Sequence, residues 1–456
     1  MNTIFLSAIF GVVMMFSGIF IKNQSAYKHI AAVLLLILLG FNYADGHGFN
    51  LIKLDTHLFL HFQNFGLLFN SICIFSTFIY VMLSGKEIEF ARNNTSEIYA
   101  LIFFVLCGVG IVTSYTNLLM LFIGIEIVSI PLYILTGSDK KNLKGNEASL
   151  KYFLMGSFFT GILLMGIAML YGSSGTFMVE KANNIKMLSY LDALGIVLIF
   201  IALSFKVSAA PFHFWTPDVY DGAPTVITSF MATVVKVAGF AAFIKLMENR
   251  YGGIGSQSDR LLVIVIILTL AFGNLTAVFQ QSVKRMLAYS SIAQAGFMMF
   301  AIFALNDTAK EGLLLYAICY SLATIGIFAV LAKMEDVSYD GFNGLSKSHP
   351  MIAGLLTVFF LSLAGIPLTG GFFAKFYMLS AVVKTGKNLG LVVVGVLFAA
   401  VSVYYYFKVI QAMYFRDGEN KLGTISARFT YLLLLVAAII VLIGVYPNVV
   451  LNLLYF

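Results

Sequence analysis

About fourteen apolar segments follow one another along this chain, separated by short connections rich in charged residues or in Gly, Pro and Asn. Each segment is long enough to cross a hydrocarbon core of about 30 Å, which takes roughly 20 helical residues. Hydrophobic residues make up 60% of the chain and charged residues only 11%. Because backbone polar groups in lipid must be satisfied within the spanning element, we predict an all-α polytopic membrane protein.

The expected spans divide the chain into four parts. We predict an N-terminal three-helix segment at 1–96, two five-helix repeats at 97–250 and 251–415, and a C-terminal helix at 416–456. The spans lie at 3–21, 29–43, 58–83, 97–113, 115–136, 148–171, 191–212, 225–246, 260–279, 284–304, 310–332, 350–384 with a break, 388–413 and 428–450.

Two spans contain proline-induced breaks at corresponding places. Pro211 lacks an N–H and its ring clashes with the carbonyl of Val207, so the seventh span should break just after Lys206. The twelfth span is interrupted around Pro367. Each break falls in the fourth span of its set of five, and an odd number of spans makes the two repeats inverted. Paired interrupted helices in two such halves indicate a transport site.

Four ionisable residues fall inside spans and cannot be assigned to a connection: Glu126, Lys206, Lys236 and Lys375. Charged side chains at membrane depth are costly and are by default functional candidates. Glu126 has the alternative of a structural carboxylate that caps a neighbouring helix. Lys236 lies roughly ten residues from either helix end, so its amine cannot reach the interface by snorkelling.

Three accessory candidates have stronger structural alternatives. His213 follows the first break and suits either proton relay or packing beside Trp215. Lys151 lies four residues after Glu147, which is also the spacing of a simple ion pair near a helix end. Lys284 and Arg285 most simply mark one membrane face, and Tyr404, Tyr405 and Tyr406 are interpreted as aromatic packing or interfacial belt.

These residue types suit proton transfer. A lysine beside a carboxylate stays protonated, and it releases its proton when that carboxylate moves or is neutralised. Glu126 and Lys206 are predicted to form such a switchable pair. Lys236 is then an intermediate acceptor, and Lys375 is the relay of the second repeat.

Other functional classes find no support in the residues. The chain has no GxGxxG or phosphate-binding loop, no Cys/His spacing typical of a metal site and no basic run for nucleic acid. Cys73, Cys107 and Cys319 all fall in apolar segments and are interpreted as small core residues. We therefore expect no metal and no redox cofactor bound by this chain.

Several long blocks of sequence, in order, resemble the antiporter-like membrane subunits of proton-pumping NADH:quinone oxidoreductase, respiratory complex I. The blocks are LLMLFIGIEIVSIPLYIL, EASLKYFLMGSF, SFKVSAAPFHFWTPDVYDGAPT, FMATVVKVAGFAAF, GNLTAVFQQSVKRMLAYSSIAQAGF and LAGIPLTGGFFAKFYML. The block PDVYDGAPT and the lysine at 375 are most similar to the subunit N members of that family. Asp221 stands where the family often has Glu.

The resemblance implies the proton-relay roles given above for Glu126, Lys206, Lys236 and Lys375, with Lys151, Glu147 and His213 as accessories. It also implies that NADH, FMN, iron–sulfur clusters and quinone are handled by other subunits. The expected partners are the antiporter-like siblings, small membrane subunits and the lipid bilayer. Two alternatives stay open: a subunit of a sodium/proton antiporter without redox chemistry, and a structural membrane spacer.

Orientation follows from the positive-inside rule. Lysines and arginines are more frequent in the odd-numbered connections than in the even-numbered ones. The odd-numbered side is therefore predicted to be cytoplasmic, with both termini on the periplasmic side of a bacterial inner membrane.

Overall fold

A computed structural model of the chain describes residues 1–21, 23–49, 51, 56, 58–90, 95–179, 189–250, 256–418 and 422–454. These residues form helices and contain no β-strand. The helices are α1 (Asn2–Phe20), α2 (Gln24–Gly46), α3 (Asn64–Phe90), α4 (Thr95–Ser114), α5 (Leu118–Thr136), α6 (Leu143–Ser174), α7 (Tyr190–Lys206), α8 (Thr216–Gly222), α9 (Thr225–Phe230), α10 (Lys236–Arg250), α11 (Ser256–Val278), α12 (Val283–Ala304), α13 (Asp307–Leu331), α14 (Leu345–Ser348), α15 (Pro350–Ala364), α16 (Gly370–Lys384), α17 (Leu389–Phe415), α18 (Ala427–Val445) and α19 (Asn448–Leu451).

The predicted polytopic helical fold is confirmed. Twelve segments of the described chain are long and apolar enough to cross a membrane without interruption, one of them formed by α9, a π-helical turn at Met231–Val235 and α10. Two further spans are interrupted: α7, which is followed by turns at 207–215, and α15 with α16. Together they account for the fourteen predicted spans. Several helices extend beyond the predicted limits; α6, for example, begins at Leu143 instead of residue 148.

Alternate connections lie at opposite ends of the bundle. The amino group of Met1 forms an ion pair of 3.1 Å with Asp45, near the end of α2. At the other end, Lys333 after α13 pairs with Glu87 near the end of α3. Because α18 follows a connection at that second end, it runs back toward the end that holds Met1. Met1 and the end of α18 therefore lie at the same end of the bundle.

The two halves of the chain pack in the same way. α4 lies along α5 as α11 lies along α12, and α6 contacts α7 and α8 as α13 contacts α15 and α16. Such matching contacts are what two equivalent repeats require. The division into repeats at 97–250 and 251–415, and their inverted relation, stay predictions.

Burial identifies the centre of the molecule. α12 and α13 are enclosed on nearly all sides, whereas α1, α2 and α17 expose most of their surface. Polar side chains on α12 and α13 therefore lie deep in the protein, where each needs a hydrogen-bond partner. α8, both helices of the second interrupted span and the π-helical turn pack against this central pair.

Candidate functional site

The first interruption begins where the sequence predicts it. α7 ends at Lys206, and a cis peptide bond joins Ala210 to Pro211 in the segment that follows. The backbone groups released by the break find partners nearby: the Ala210 N–H donates to Thr269 Oγ1 on α11 at 2.9 Å, and Trp215 Nε1–H donates to the Phe205 carbonyl at 3.1 Å. Non-helical backbone at membrane depth is tolerated because such partners are present.

Lys206 contacts a neutral partner instead of Glu126. Its Nζ donates to Ser129 Oγ on α5 at 2.8 Å, and Ser129 lies one helical turn after Glu126. Glu126 accepts a hydrogen bond of 2.8 Å from Thr160 Oγ1 on α6. The predicted ion pair between Glu126 and Lys206 is therefore not formed in this conformation. Glu126 and Ser129, the partner of Lys206, nevertheless lie on the same face of α5. Ser129 and Thr160, which the sequence analysis did not single out, complete this part of the site.

A cavity of about 40 Å³ extends from Lys206 toward α10. Ser129 and Tyr152 contribute its polar lining, and Val235 and Gly239 form part of its far wall on either side of Lys236 in the sequence. A buried water needs roughly 10–15 Å³ of such space and two or more polar partners. The cavity is therefore large enough for water between Lys206 and the helix that carries Lys236.

Lys236 lies at the centre of the protein, directly after the π-helical turn. Its side chain is 2% exposed, and its Nζ donates to the carbonyl and to the Oγ of Ser291 on α12, at 2.8 and 2.9 Å. The aromatic ring of Tyr220 lies 5.9 Å from the amine. A π-helical turn widens the helix by one residue and often occurs at functional sites.

The second interruption places Lys375 against the end of α15. Gly365 adopts a left-handed φ of 83°, which ends the helix at Ala364. The Lys375 Nζ donates to the Ala364 carbonyl at 2.9 Å, and the Phe297 ring lies 4.7 Å from the amine. At 6% exposure, Lys375 is nearly as buried as Lys236. Its amine supplies a donor to a carbonyl at the end of the helix.

A set of hydrogen-bonded neutral side chains lies on and beside α12, from the residue next to Ser291 to the second break. Ser290, next to the Ser291 that binds Lys236, shares a hydrogen bond with the Tyr406 hydroxyl of α17. Gln294 donates to Tyr406 at 2.9 Å and to the Leu363 carbonyl, beside the second break, at 2.9 Å. Tyr316 donates to the Gln294 carbonyl oxygen and lines a small cavity with Lys375. We call Ser290, Gln294, Tyr316 and Tyr406 the α12 chain.

The α12 chain was not predicted from the sequence. The expectation for Tyr404, Tyr405 and Tyr406 was aromatic packing or an interfacial belt. Tyr406 is fully buried and its ring lies 6.0 Å from that of Phe360, as packing requires, but the hydrogen bonds of its hydroxyl were not predicted. A usable signal was present: Ser290 and Gln294 are polar residues four positions apart inside an apolar span, so they share one helix face.

The accessory candidates lie away from the buried lysines. The His213 ring packs 5.4 Å from the Phe272 ring of α11. Lys151 forms ion pairs with Glu147 at 2.8 Å and with Asp218 at 3.0 Å, at the bundle end that holds Glu87. Glu147 and Lys151 thus form the simple ion pair that was the structural alternative to an accessory role.

This ion-pair cluster joins the two halves of the chain. Arg285, at the start of α12, reaches Asp218 at 3.1 Å and Asp221 at 3.4 Å, and Lys144 reaches Asp221 at 2.8 Å. Partial burial opposes ionisation of Asp218. The hydrogen bonds and positive charges of Lys151 and Arg285 outweigh it and hold the pKa of Asp218 below its usual value.

No group of three or more His, Cys, Asp or Glu side chains converges among the described residues in a way that could hold a metal ion. Cys73, Cys107 and Cys319 are buried and form no disulfide. The site residues are lysines, the Glu126 carboxylate, hydroxyls and the Gln294 amide. Such a set can pass protons through hydrogen bonds.

A family model described as NADH:quinone oxidoreductase/Mrp antiporter, TM, matches residues 115–402. The chain is 39% identical to an NADH-quinone oxidoreductase subunit N from Cytophaga hutchinsonii, with 99% of each chain covered. It is similar to a chain of respiratory complex I from Thermus thermophilus with bound aureothin, at 29% identity and a TM-score of 0.84, covering 99% of this chain and 98% of that one.

A chain of the Mrp complex from Dietzia sp. DQ12-45-1b has the same fold, with a TM-score of 0.83 and coverage of 99% and 96%, but its identity is 17%. That likeness concerns the fold alone. The high identity over the full length lies with subunit N, and the blocks around the buried lysines fall almost entirely within the matched region. The chain therefore belongs to the NADH-quinone oxidoreductase subunit N family of antiporter-like membrane proteins.

Proposed function

We propose that this chain translocates protons across the membrane as a subunit of NADH:quinone oxidoreductase, with electron transfer carried out in other subunits. One observation carries the proposal: Lys206, Lys236 and Lys375 form no ion pair with a described carboxylate, and the hydrogen bonds of their amines go to neutral oxygens. A change in the surrounding charge can therefore alter their protonation.

The proton path runs through the two halves in sequence. Glu126 and Lys206 form the first station, and the cavity beside α10 leads from them toward Lys236. Lys236 is the central acceptor, and the α12 chain leads on to Lys375 at the second break. His213, Lys151 and Glu147 remain accessory candidates, the last two at an ion-pair cluster where protons could enter from water.

Coupling is electrostatic in this proposal. Movement of Lys206 from Ser129 toward Glu126 brings a positive charge to the carboxylate, and its return favours release of the proton. Oxidation and reduction in partner subunits supply the driving change. NADH, FMN, iron–sulfur clusters and quinone bind to those subunits, and this chain binds none of them.

The chain spans the inner membrane of a bacterium several times, in contact with antiporter-like siblings and small membrane subunits. The end of the bundle that holds Glu87, Asp218 and Arg285 faces the cytoplasm, because lysine and arginine are concentrated there. Both termini then lie on the periplasmic side.

The test is Lys236→Ala in the intact complex, reconstituted into sealed vesicles. We expect NADH-to-quinone electron transfer to persist while proton uptake per electron falls at least about tenfold, because a positioned acid–base group is lost. Lys387→Ala is the control, since Lys387 is an exposed lysine paired with Asp259. Normal pumping by the Lys236 variant sinks the proposal.

The sodium/proton antiporter alternative is separated by purification. A tagged form of the chain, extracted from native membranes in mild detergent, should bring with it flavin, iron–sulfur subunits and NADH-to-quinone activity. A complex of membrane subunits alone, with sodium flux and without flavin or iron, establishes the antiporter instead.

A further inference from the structure

A basic pocket opens at the bundle end that holds Glu87, away from the proton path. It has a volume of about 510 Å³ and lies between the start of α2, the last turns of α3 and the start of α18. Sites for small molecules commonly occupy about 300–1,000 Å³. We call this cavity the α2–α18 pocket.

The rim of the α2–α18 pocket is positively charged. Lys28, Lys86, Lys333 and Arg428 line it, and none of its described lining residues is acidic. The charge of Lys333 is offset by Glu87, with which it forms an ion pair. Lys86 and Arg428 are exposed and form no ion pair with a described residue, so their charges are available to a ligand.

Two contacts hold the basic rim in place. Lys28 donates from Nζ to the Met82 carbonyl of α3 at 2.8 Å, and its side chain crosses α3 at Gly85, where a Cβ atom would lie 2.5 Å from Lys28 Cδ. The Lys333 amine lies 4.7 Å from the Phe429 ring of α18. The pocket is therefore built by three helices and is not a chance cluster of flexible surface lysines.

The walls of the pocket are apolar on the side toward the membrane interior. Met82 and Leu83 on α3 face Phe429 and Leu432 on α18. Met82 and Leu432 lie one helical turn further into their spans than Lys86 and Arg428. The pocket thus combines a cationic rim at headgroup level with apolar walls at the level of the acyl chains.

We propose that the α2–α18 pocket binds an anionic phospholipid, with its phosphodiester at Lys86 and Arg428 and an acyl chain along Leu432 and Met82. The shared chemistry is that of a phosphate group, for which arginine and lysine are the preferred partners. The apolar wall selects a lipid over a free phosphate ion. Basic pockets between spans are typical binding places for such headgroups.

The experiment places a photoreactive residue in the wall of the pocket. The complex that contains Leu432→benzoylphenylalanine is reconstituted into vesicles of equal parts phosphatidylglycerol and phosphatidylcholine, irradiated, and its adducts on this chain are identified by mass spectrometry. We expect phosphatidylglycerol adducts to exceed phosphatidylcholine adducts by roughly twentyfold, because each of the two cations favours the anionic headgroup about fivefold. Adducts in proportion to lipid abundance overturn the proposal.

Charge variants make the test specific. Adding Lys86→Gln and Arg428→Gln should abolish the preference for phosphatidylglycerol. The matched control, Lys140→Gln with Lys141→Gln, removes two exposed lysines from the same end of the bundle and should keep it. An equal loss of preference in both double variants shows a general surface effect and overturns the site.

Two further outcomes also decide against the proposal. A protein adduct shows that a partner subunit fills the pocket, and loss of the lipid adducts on addition of inorganic phosphate shows a free-anion site. If the Leu432 variant fails to assemble, Ser426→benzoylphenylalanine, at the exposed rim, gives the same readouts.

Discussion

Each interrupted span has a lysine beside its break, but only one of the two lysines supplies a hydrogen bond to a backbone carbonyl. Lys206 comes directly before its break and bonds to the hydroxyl of Ser129, which itself donates to the Ile125 carbonyl at 2.7 Å. Lys375 follows its break and donates to the Ala364 carbonyl at the end of α15. Removal of Lys206 leaves Ser129 satisfied, whereas removal of Lys375 deprives a buried carbonyl of a donor.

The lysine of the first break can therefore change its hydrogen-bond partner, whereas the lysine of the second break is held by the backbone. The first is stabilised by groups other than its lysine, namely Thr269 and Trp215, so Lys206 can change partner without exposing backbone. In the second break, displacement of the Lys375 amine costs a backbone hydrogen bond, about 1–3 kcal/mol when the carbonyl stays buried.

The largest effect is expected at the close packing of the second break. A Cβ atom on Gly371 would lie 1.8 Å from the Ser362 carbonyl oxygen, so Gly371→Ala requires α15 and α16 to separate. We expect a destabilisation of more than about 3 kcal/mol, seen as loss of assembled complex on native gels. Gly354→Ala on α15 is the control, because a Cβ there meets no atom within 4 Å. Normal assembly of the Gly371 variant contradicts this packing.

A pair of matched variants tests the comparison directly. Lys206→Met and Lys375→Met should each lower proton pumping at least about tenfold. Lys375→Met should in addition lower the free energy of unfolding by about 1–3 kcal/mol, because the Ala364 carbonyl loses its donor. Thermal unfolding of the two purified complexes, compared with wild type, measures the difference. Equal losses of stability would remove the distinction between the two breaks.

A smaller effect is expected from the α12 chain, whose hydrogen bonds run from Ser290, next to the Lys236 partner Ser291, to the Leu363 carbonyl beside the second break. Tyr406→Phe removes the hydroxyl that bonds Ser290 and Gln294, and we expect a drop in proton pumping of roughly fivefold, equivalent to about 1 kcal/mol for a lost hydrogen bond. Tyr404→Phe, at an exposed position of the same helix, should have no effect. Proton uptake per electron is the quantity to measure, and identical values for the two variants contradict a role for the chain.

The smallest effect concerns the ion pairs of α8, which follows the first break. Asp218 has a pKa below its usual value, so its contribution to stability is complete above the unfolded pKa of about 3.9 and is lost as the pH falls through the lower folded pKa. Asp218→Asn should therefore cost less than about 1 kcal/mol, by the same amount at pH 8 and pH 5.5. A cost that disappears between those two pH values in thermal unfolding contradicts the lowered pKa.

Local sequence signals were sufficient for much of the fold. The position of each span follows from hydrophobicity, and the end of α7 at Lys206 follows from Pro211, since both effects act within a few residues. Burial of Lys236 was also predictable, because a residue so far from either helix end cannot reach water. The membrane class, the two interruptions and the central lysine could therefore be predicted from the amino-acid pattern.

The hydrogen-bond partners of the lysines could be identified only from the tertiary structure. Lys206 bonds to Ser129, 77 positions away, and Lys236 to Ser291, 55 positions away. Such contacts depend on which helices are neighbours and on the rotation of each helix about its axis. A helix that is apolar on all sides gives no sequence signal for either. For the same reason Glu126 was expected to pair with Lys206 but accepts a hydrogen bond from Thr160, and the hydrogen bonds of Tyr406 with Ser290 and Gln294 were not predicted.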